Sequence, residues 1–208
     1  MIFSTQYTYD KLGRITDKTE TTNGQTHTYH YDYDAIGQLT DVWKDGILTS
    51  HYDYDSNGNR IGGTYDDQDR MIAYGGNTYQ YTPNGELKQK VTSAGTTNYT
   101  YDPLGNLTSV TLPDGKKIDY LIDGANRRIG KKVNGFLVQG FLYQDALKPV
   151  AELDGANNVV ARFVYGTSSV VPDYMVKGGV TYRIVSDHLG NVRIVVDVAT
   201  GNVVQDGL

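Results

Sequence analysis

The stretch Tyr31-Asp32-Tyr33-Asp34-Ala35-Ile36-Gly37-Gln38-Leu39 decides the fold, because it recurs. Tyr7-Thr8-Tyr9-Asp10-Lys11-Leu12-Gly13, Tyr52-Asp53-Tyr54-Asp55-Ser56-Asn57-Gly58 and Tyr99-Thr100-Tyr101-Asp102-Pro103-Leu104-Gly105 share its frame. Three weaker copies keep the spacing with exchanged residues. Asp69 stands in the glycine slot after Asp66, Thr82 in the aspartate slot before Gly85, and Asn126 in the glycine slot after Asp123. The aspartate slots fall at 10, 34, 55, 66, 82, 102 and 123, in steps of 24, 21, 11, 16, 20 and 21. A period of about 20 residues holds two strands and two turns, since hairpin loops take about 2–5 residues. A repeat containing a helix needs more room, so the unit reads as a β-hairpin.

Each slot has a mechanical reason. Tyr31 and Tyr33 are two residues apart, so in a strand both rings leave the same face, as do Tyr52 with Tyr54 and Tyr99 with Tyr101. Asp followed three residues later by Gly is a type I turn signature: the carboxylate bonds the backbone ahead of it, and Gly accepts positive φ. The same spacing fits the bulged three-residue hairpin loop. Pro103 suits the second turn position, and Asn126 tolerates positive φ where Asp69 fits less well. Pro113-Asp114-Gly115, Lys44-Asp45-Gly46 and Asn134-Gly135 supply the turn at the other end of the unit. No segment of useful length has an amphipathic helical period. The expected fold class is therefore all-β: stacked antiparallel hairpin repeats of about 20 residues forming a curved or spiralling strip.

Composition agrees. Of 208 residues, 18 are Tyr and 24 are Gly, and mean hydropathy is low at -0.46. A disordered chain is depleted in aromatics. Tyr instead suits a sheet with a half-wet face, burying its ring while its hydroxyl stays bonded or hydrated. The net charge of -5, without a dense Lys/Arg stripe, removes the electrostatic footprint of a nucleic-acid binder and of attraction to anionic membranes. With no cysteine there is neither a disulfide framework nor a cysteine-ligated zinc site. The opening Met1-Ile2-Phe3-Ser4-Thr5-Gln6 has no basic start and no apolar stretch, so it is not a signal peptide. No run of 18 apolar residues offers a membrane span.

Several clusters invite chemistry, and the repeat explains each more simply. His30 and His51, each two residues before an aspartate (Asp32, Asp53), lie one repeat apart, where stacking would bring them together as a metal or acid-base cluster. The plainer reading is polar positions on the wetter face. Asp55, Asn57, Asn59 and Asp66 partly match a calcium loop, but Arg60 occupies the position that requires glycine, and no flanking helices are expected. Ser186-Asp187-His188 names three triad residue types, yet adjacent strand residues point in alternating directions, and Asp187 reads as the turn aspartate before Gly190. Glu152 and Asp154 read as strand and turn residues rather than a glycosidase pair. The tyrosine ladder either stabilises the sheet, at about 0.2–1 kcal/mol per cross-strand pair, or presents rings to a sugar. Trp43, at a strand end, supports neither reading alone. The expectation is no catalytic residue, no cofactor and no metal.

Repeats of the form Tyr-x-Tyr-Asp-x-x-Gly with a following Leu-Thr, as at Leu39-Thr40 and Leu107-Thr108, resemble the Rhs/YD-repeat family from about Tyr7 onward. The C-terminal third resembles its Rhs core region through Phe141-Leu142-Tyr143, Pro149 to Gly155, Val160 to Gly166, Pro172-Asp173-Tyr174, Gly178 to Tyr182 and Asp187 to Arg193. The resemblance implies YD repeats over 1–140 and an Rhs-core-like continuation of the same strip over 141–208, ending before the family's self-cleavage motif. It further implies a non-catalytic structural segment, part of the shell or scaffold wall of an exported, polymorphic-toxin or teneurin-like protein; separately, the open strand edges of such a strip invite self-association. The alternative is a surface or carbohydrate-binding module using the tyrosine face. Implied partners are the rest of a larger chain, another copy, or an enclosed toxin or other cargo, with a glycan as the ligand of the alternative and no nucleic acid or membrane span. The implied location is secreted or cell-surface. The residues that define the repeat are Tyr7, Tyr9, Asp10, Gly13, Tyr31, Tyr33, Asp34, Gly37, Tyr52, Tyr54, Asp55, Gly58, Tyr99, Tyr101, Asp102, Gly105, Asp187 and Gly190.

Overall fold

A computed structural model describes residues 2–166 and 170–206. Met1, at the start of the leader reading, and Gly207 and Leu208, at the end of the 141–208 segment, lie outside the described residues. The described residues form twenty strands and no helix. In chain order they are β1 (Phe3–Tyr9), β2 (Ile15–Thr22), β3 (Gln25–Tyr33), β4 (Leu39–Lys44), β5 (Ile47–His51), β6 (Thr64–Tyr65), β7 (Met71–Tyr74), β8 (Asn77–Tyr81), β9 (Leu87–Thr92) and β10 (Gly95–Tyr101). There follow β11 (Leu107–Thr111), β12 (Lys117–Ile122), β13 (Arg128–Val133), β14 (Phe136–Tyr143), β15 (Pro149–Asp154), β16 (Val159–Val164), β17 (Tyr174–Lys177), β18 (Val180–Ser186), β19 (Val192–Asp197) and β20 (Val203–Asp206). The expectation of an all-β chain of stacked antiparallel hairpins holds.

The chain divides into two compact units, Met1–Ile61 with Tyr182–Leu208, and Gly62–Thr181. The second is the simpler. In it β6 to β17 lie side by side in sequence order, each antiparallel to the next, with no crossover. Two kinds of turn recur along this run. Two-residue turns with positive φ at both positions close two of the hairpins, at Gly75-Gly76 and Asn134-Gly135. The bulged aspartate corners close others, and each leaves a register shift beside it, as between Thr100 and Tyr101. Buried apolar side chains are few here: Val110, Ala151 and Ala161. A strip so thin gains its stability from neighbour-on-neighbour ladders rather than from a deep core.

In the first unit, β1 to β5 form a five-stranded antiparallel sheet in sequence order. Along β3, Tyr29 and Tyr31 are half-buried, whereas the interleaved Thr28 and His30 are exposed. The tyrosine face is the one that meets the β18–β19 hairpin of the same unit. There Arg193 on β19 pairs with Glu20 on β2 at 2.7 Å, and the His188 ring meets the Tyr7 ring edge-on at 4.7 Å between centroids. Glu20 is buried, and the neighbouring Ile194, Val195 and Val196 are the deepest apolar residues of the unit. The opposite face carries Asp17, His30, Trp43, Asp41 and His51 in cross-strand register. The tyrosine side is thus the covered side of this sheet, and the histidine–aspartate side is the wet one.

Candidate functional site: the corners that join successive repeats

The corner begins with the aspartate. Asp34 donates its N–H to the Gln38 carbonyl at 2.9 Å and accepts the Gly37 N–H on its own carbonyl at 3.1 Å. Its Oδ1 accepts two more amides, from Ile36 at 3.0 Å and Gln38 at 2.8 Å. The same four bonds recur around Asp10, Asp55, Asp66, Asp102, Asp123, Asp154 and Asp187. One carboxylate oxygen and one main chain thus satisfy the groups that a five-residue reversal would leave unpaired. The fourth residue must take positive φ, and does so at Gly13 (81°), Gly37 (94°), Gly58 (84°), Gly105 (82°) and Gly190 (88°). Asn126 (65°) and Asp69 (57°) accept the same conformation, so the exchanged residues keep the corner at a modest conformational cost.

Two corners vary the pattern. After Asp154 the positive-φ residue is Asn157 (65°), not Gly155. Gly155 is needed for another reason: a Cβ there would collide with the Leu137 carbonyl. Thr82 replaces the carboxylate with its hydroxyl, which accepts the Glu86 N–H at 3.2 Å and also bonds the Glu86 carboxylate.

The second aspartate oxygen holds the fifth residue. Asp10 Oδ2 accepts from Arg14 Nε at 2.6 Å, Asp123 Oδ2 from Arg127 Nε at 2.8 Å, and Asp102 Oδ2 from the Asn106 amide at 2.8 Å. The amide of Arg14 and its guanidinium hold the Asp10 carboxyl below its ordinary range. For Asp66 the Arg70 guanidinium leads, with the Arg70 and Gln68 amides adding to it. The anchored side chain then reaches the next corner. Arg14 donates to the Asp34 carbonyl at 3.5 Å and lies 4.6 Å from the Tyr33 ring centre. Arg127 donates to the Asp145 carbonyl at 3.0 Å and lies 5.1 Å from the Tyr143 ring.

The link that sequence reading missed is made by the second tyrosine. Tyr33 donates its hydroxyl to the Ile15 carbonyl at 2.8 Å, so the residue before one aspartate latches the strand leaving the previous corner. Tyr54 does the same to Leu39 (2.8 Å), Tyr81 to Met71 (2.7 Å), Tyr101 to Leu87 (2.9 Å), Tyr143 to Arg128 (3.0 Å) and Tyr165 to Pro149 (2.9 Å). In every case the acceptor lies five residues past the start of the preceding corner. Burial and this setting push the Tyr33, Tyr81, Tyr101 and Tyr165 hydroxyls above their ordinary range. They act as fixed donors, not as titrating groups. Where Ile122 occupies the tyrosine slot, no hydroxyl is available for a latch.

The remaining singled-out residues are dispersed or already engaged. His30 bonds Asp17 at 2.7 Å and Asp32 at 3.2 Å, and His51 bonds Asp41 at 2.7 Å and Asp53 at 3.2 Å. These are two separate imidazole–carboxylate sets rather than one shared centre. Hydrogen bonding to Asp17 raises the His30 pKa, and hydrogen bonding to Asp41 raises that of His51. Asp55, the first residue of the calcium-loop resemblance, has its Oδ1 occupied by two turn amides. Among the described residues no group of three or more His, Cys, Asp or Glu is placed to hold a metal. Asp187 caps its corner while His188 packs on Tyr7, so the two do not converge with Ser186. Tyr9 is exposed beside Tyr7, with ring centres 6.3 Å apart, and Tyr52 lies under the Arg60 guanidinium at 4.3 Å. No helix of the described residues is long and apolar enough to cross a membrane.

Comparison with known proteins places this geometry. The family model of the teneurin YD-shell matches residues 1–207. The tRNA nuclease WapA of Bacillus subtilis strain 168 is 29% identical over 165 residues, 78% of this chain and 6% of that protein. Teneurin-3 of Mus musculus is 28% identical over 200 residues, 88% of this chain and 7% of that protein. The chain therefore spans less than a tenth of the length of the curated relatives it matches. It also aligns with the Photorhabdus luminescens Tc holotoxin pore at a TM-score of 0.37 and 14% identity, over 92% of this chain and 15% of that one.

Proposed function

Because the chain belongs to the teneurin YD-shell family, we propose that it is a non-catalytic wall segment of an exported Rhs-like shell, part of a larger assembly that encloses cargo. The supporting observation is the latch from each second tyrosine to the strand leaving the preceding corner. Such a unit passes its register to the next copy and needs only nearest neighbours, so a wall of any length is built by adding repeats. The nuclease named in the WapA relative is that protein's activity, and this chain matches only 6% of it. The eighteen Tyr, Asp and Gly residues named above define the repeat on this reading, and no cofactor or metal enters. Residues 1–140 act as YD repeats and 141–208 as their Rhs-core-like continuation, outside the cell or on its surface.

Open strand edges add self-association to this role. At one end of the five-stranded sheet, β1 pairs only with β2 among the described residues, leaving an unpaired row of backbone groups. Sedimentation velocity over a concentration series, with electron microscopy of the same samples, tests the reading. Strips that lengthen with concentration are expected. A monodisperse monomer at every concentration would overturn self-association, and hydrolytic turnover abolished by a single His→Ala change would overturn the non-catalytic role. A sugar-binding tyrosine face is less well supported. Its second tyrosines are engaged with backbone carbonyls, and Tyr29, Tyr31, Tyr79 and Tyr99 sit on half-buried positions.

A further inference from the structure

The run of latches is interrupted within the second unit. Tyr101 and Tyr143 hold their carbonyls, but the slot between them carries Ile122, at the end of β12 and just before the corner of Asp123. In the frame that the six latches keep, the acceptor belonging to this slot is the Leu107 carbonyl, five residues past the start of the Asp102 corner. Isoleucine brings no hydroxyl to it. The fifth residue of the Asp102 corner is changed as well. Arg14, Arg70 and Arg127 lie over the latch rings of Tyr33, Tyr81 and Tyr143 at 4.6, 5.3 and 5.1 Å. Asn106 instead bonds Asp102 Oδ2 at 2.8 Å and reaches across to Asn126 Oδ1 at 2.5 Å. Neither the latch ring nor the guanidinium that covers it elsewhere is present here. An open cleft of about 400 Å³ lies at this place, with Leu107, Ile122, Asn126, Phe141 and Tyr143 in its lining.

The missing part has a definite chemistry. Tyrosine exceeds isoleucine by the far side of an aromatic ring and the hydroxyl beyond it. Each filled latch sets that hydroxyl 2.7–3.0 Å from its carbonyl. A free phenol carries the same two parts. Its ring meets the apolar side chain of Ile122 and the neighbouring rings of Phe141 and Tyr143, contacts that suit an aromatic body with one polar tip. Its O–H donates to the Leu107 carbonyl, whose oxygen has two lone pairs and so accepts a second bond beside any ladder bond. An aromatic hydrocarbon fills the ring position and leaves the carbonyl untouched. A benzoate brings only acceptors to a group that is itself an acceptor. Arg128, the one cation in the lining, is drawn over the Tyr120 ring at 3.9 Å. The cleft is of a size with ordinary small-molecule sites, which run from about 300 to 1,000 Å³.

We propose that this cleft binds a small neutral phenol, its ring in the place of the absent tyrosine and its hydroxyl on the Leu107 carbonyl. The site follows from the latch geometry and does not depend on the wall reading.

The full chain is titrated with p-cresol, which is the tyrosine side chain as a free molecule, and followed by residue-resolved NMR. Toluene and benzoate are the comparators. At millimolar p-cresol, saturable shifts are expected at the amides of Leu107, Thr108 and Ile122, and none at Met71 and Leu87, whose carbonyls already hold a tyrosine. Toluene should bind about fivefold more weakly, the net value of one hydrogen bond, and benzoate more weakly than p-cresol. Ile122→Tyr supplies ring and hydroxyl from within the chain. It should weaken p-cresol binding at least about tenfold and raise the folding equilibrium constant about fivefold in urea denaturation. Ile122→Phe supplies the ring alone and should block binding without that gain. Should neither variant fold, the three ligands on the wild-type chain decide the matter. The proposal is overturned by the absence of a saturable shift with p-cresol or by shifts spread evenly along the chain. Equal affinity for toluene or benzoate, or undiminished binding to folded Ile122→Tyr, would do the same.

Discussion

The hydroxyl of Tyr101 donates a 2.9 Å hydrogen bond to the carbonyl of Leu87, fourteen positions earlier and one corner back. Five other tyrosines repeat that relation with their own preceding corners. Tyrosine is therefore required before the turn aspartate for its oxygen as well as for its ring. Phenylalanine would stack equally well and would leave the neighbour's carbonyl unpaired.

Tyr101→Phe is accordingly expected to destabilise the chain by about 1 kcal/mol, the net value of one hydrogen bond together with the acceptor it orphans. Tyr99 leaves the same face but has no hydroxyl bond among the described residues, so Tyr99→Phe should be close to neutral. Urea denaturation of the two variants, followed by circular dichroism, separates these outcomes. Equal effects would mean that the hydroxyl is not the latch.

The corner glycine can be tested in the same way. Gly105 holds φ at +82°, so Gly105→Ala forces an L side chain into the left-handed region and should cost about 1 kcal/mol or more. Gly124 sits in a neighbouring corner without positive φ and with open space around it. Gly124→Ala should be neutral or slightly stabilising. Thermal melts of both variants give the comparison.

Glu20 and Arg193 join the covered face of the first sheet to β19 across 173 positions of sequence. Glu20 is buried, and without Arg193 it keeps only its 3.4 Å contact with Lys18 Nζ, so Arg193→Met is expected to cost about 1–3 kcal/mol. Replacing both partners together, with Glu20→Gln and Arg193→Met, should recover much of that loss. A double-mutant cycle by chemical denaturation measures the coupling, and simple additivity of the two single changes would contradict it.

His30 and His51 have folded-state pKa values raised above the ordinary imidazole value, first by the hydrogen bonds they donate to Asp17 and Asp41 respectively. A raised pKa means that the folded state binds the proton more tightly. The contribution to stability is fully present below the unfolded pKa of about 6.5 and is lost as pH rises through the folded one. Asp17 and Asp41 are shifted down, Asp17 first by the Thr8 hydroxyl and Asp41 first by His51. Their share is present above about pH 4 and is lost as pH falls further. These pairs therefore help most near about pH 5–6. The double variant His30→Gln with His51→Gln should flatten the decline in melting temperature between about pH 6 and 8. An unchanged slope would show that the imidazoles are not coupled to folding.

The corners were legible in the sequence because each slot has its own letter. Asp34 and Gly37 announce a reversal wherever they recur, and Tyr31 with Tyr33 announces a shared face. The latch was not legible, since its acceptor is a backbone carbonyl that no side chain announces. The positive φ of Asn157 was not legible for a related reason. Gly155 is the more permissive residue, but it answers the approach of Leu137, which is remote in sequence. The pairing of Glu20 with Arg193 lay beyond reach because neither residue breaks any local pattern. The fixing of Trp43 by Asp32 depends on a register between β3 and β4 that the sequence leaves open by one step.

The central claim is that each repeat is coupled to its immediate neighbour through the tyrosine latch. Residue-resolved hydrogen exchange on wild type and Tyr101→Phe tests it most directly. The prediction is about fivefold faster exchange at the Gly85 and Thr82 amides, which close the corner beside Leu87, as expected for local loss of about 1 kcal/mol. The amides of Asn126 and Asp123, in the corner after that of Asp102, should stay at the wild-type rate. Unchanged exchange at Thr82 and Gly85, or equal acceleration along the whole chain, would contradict it.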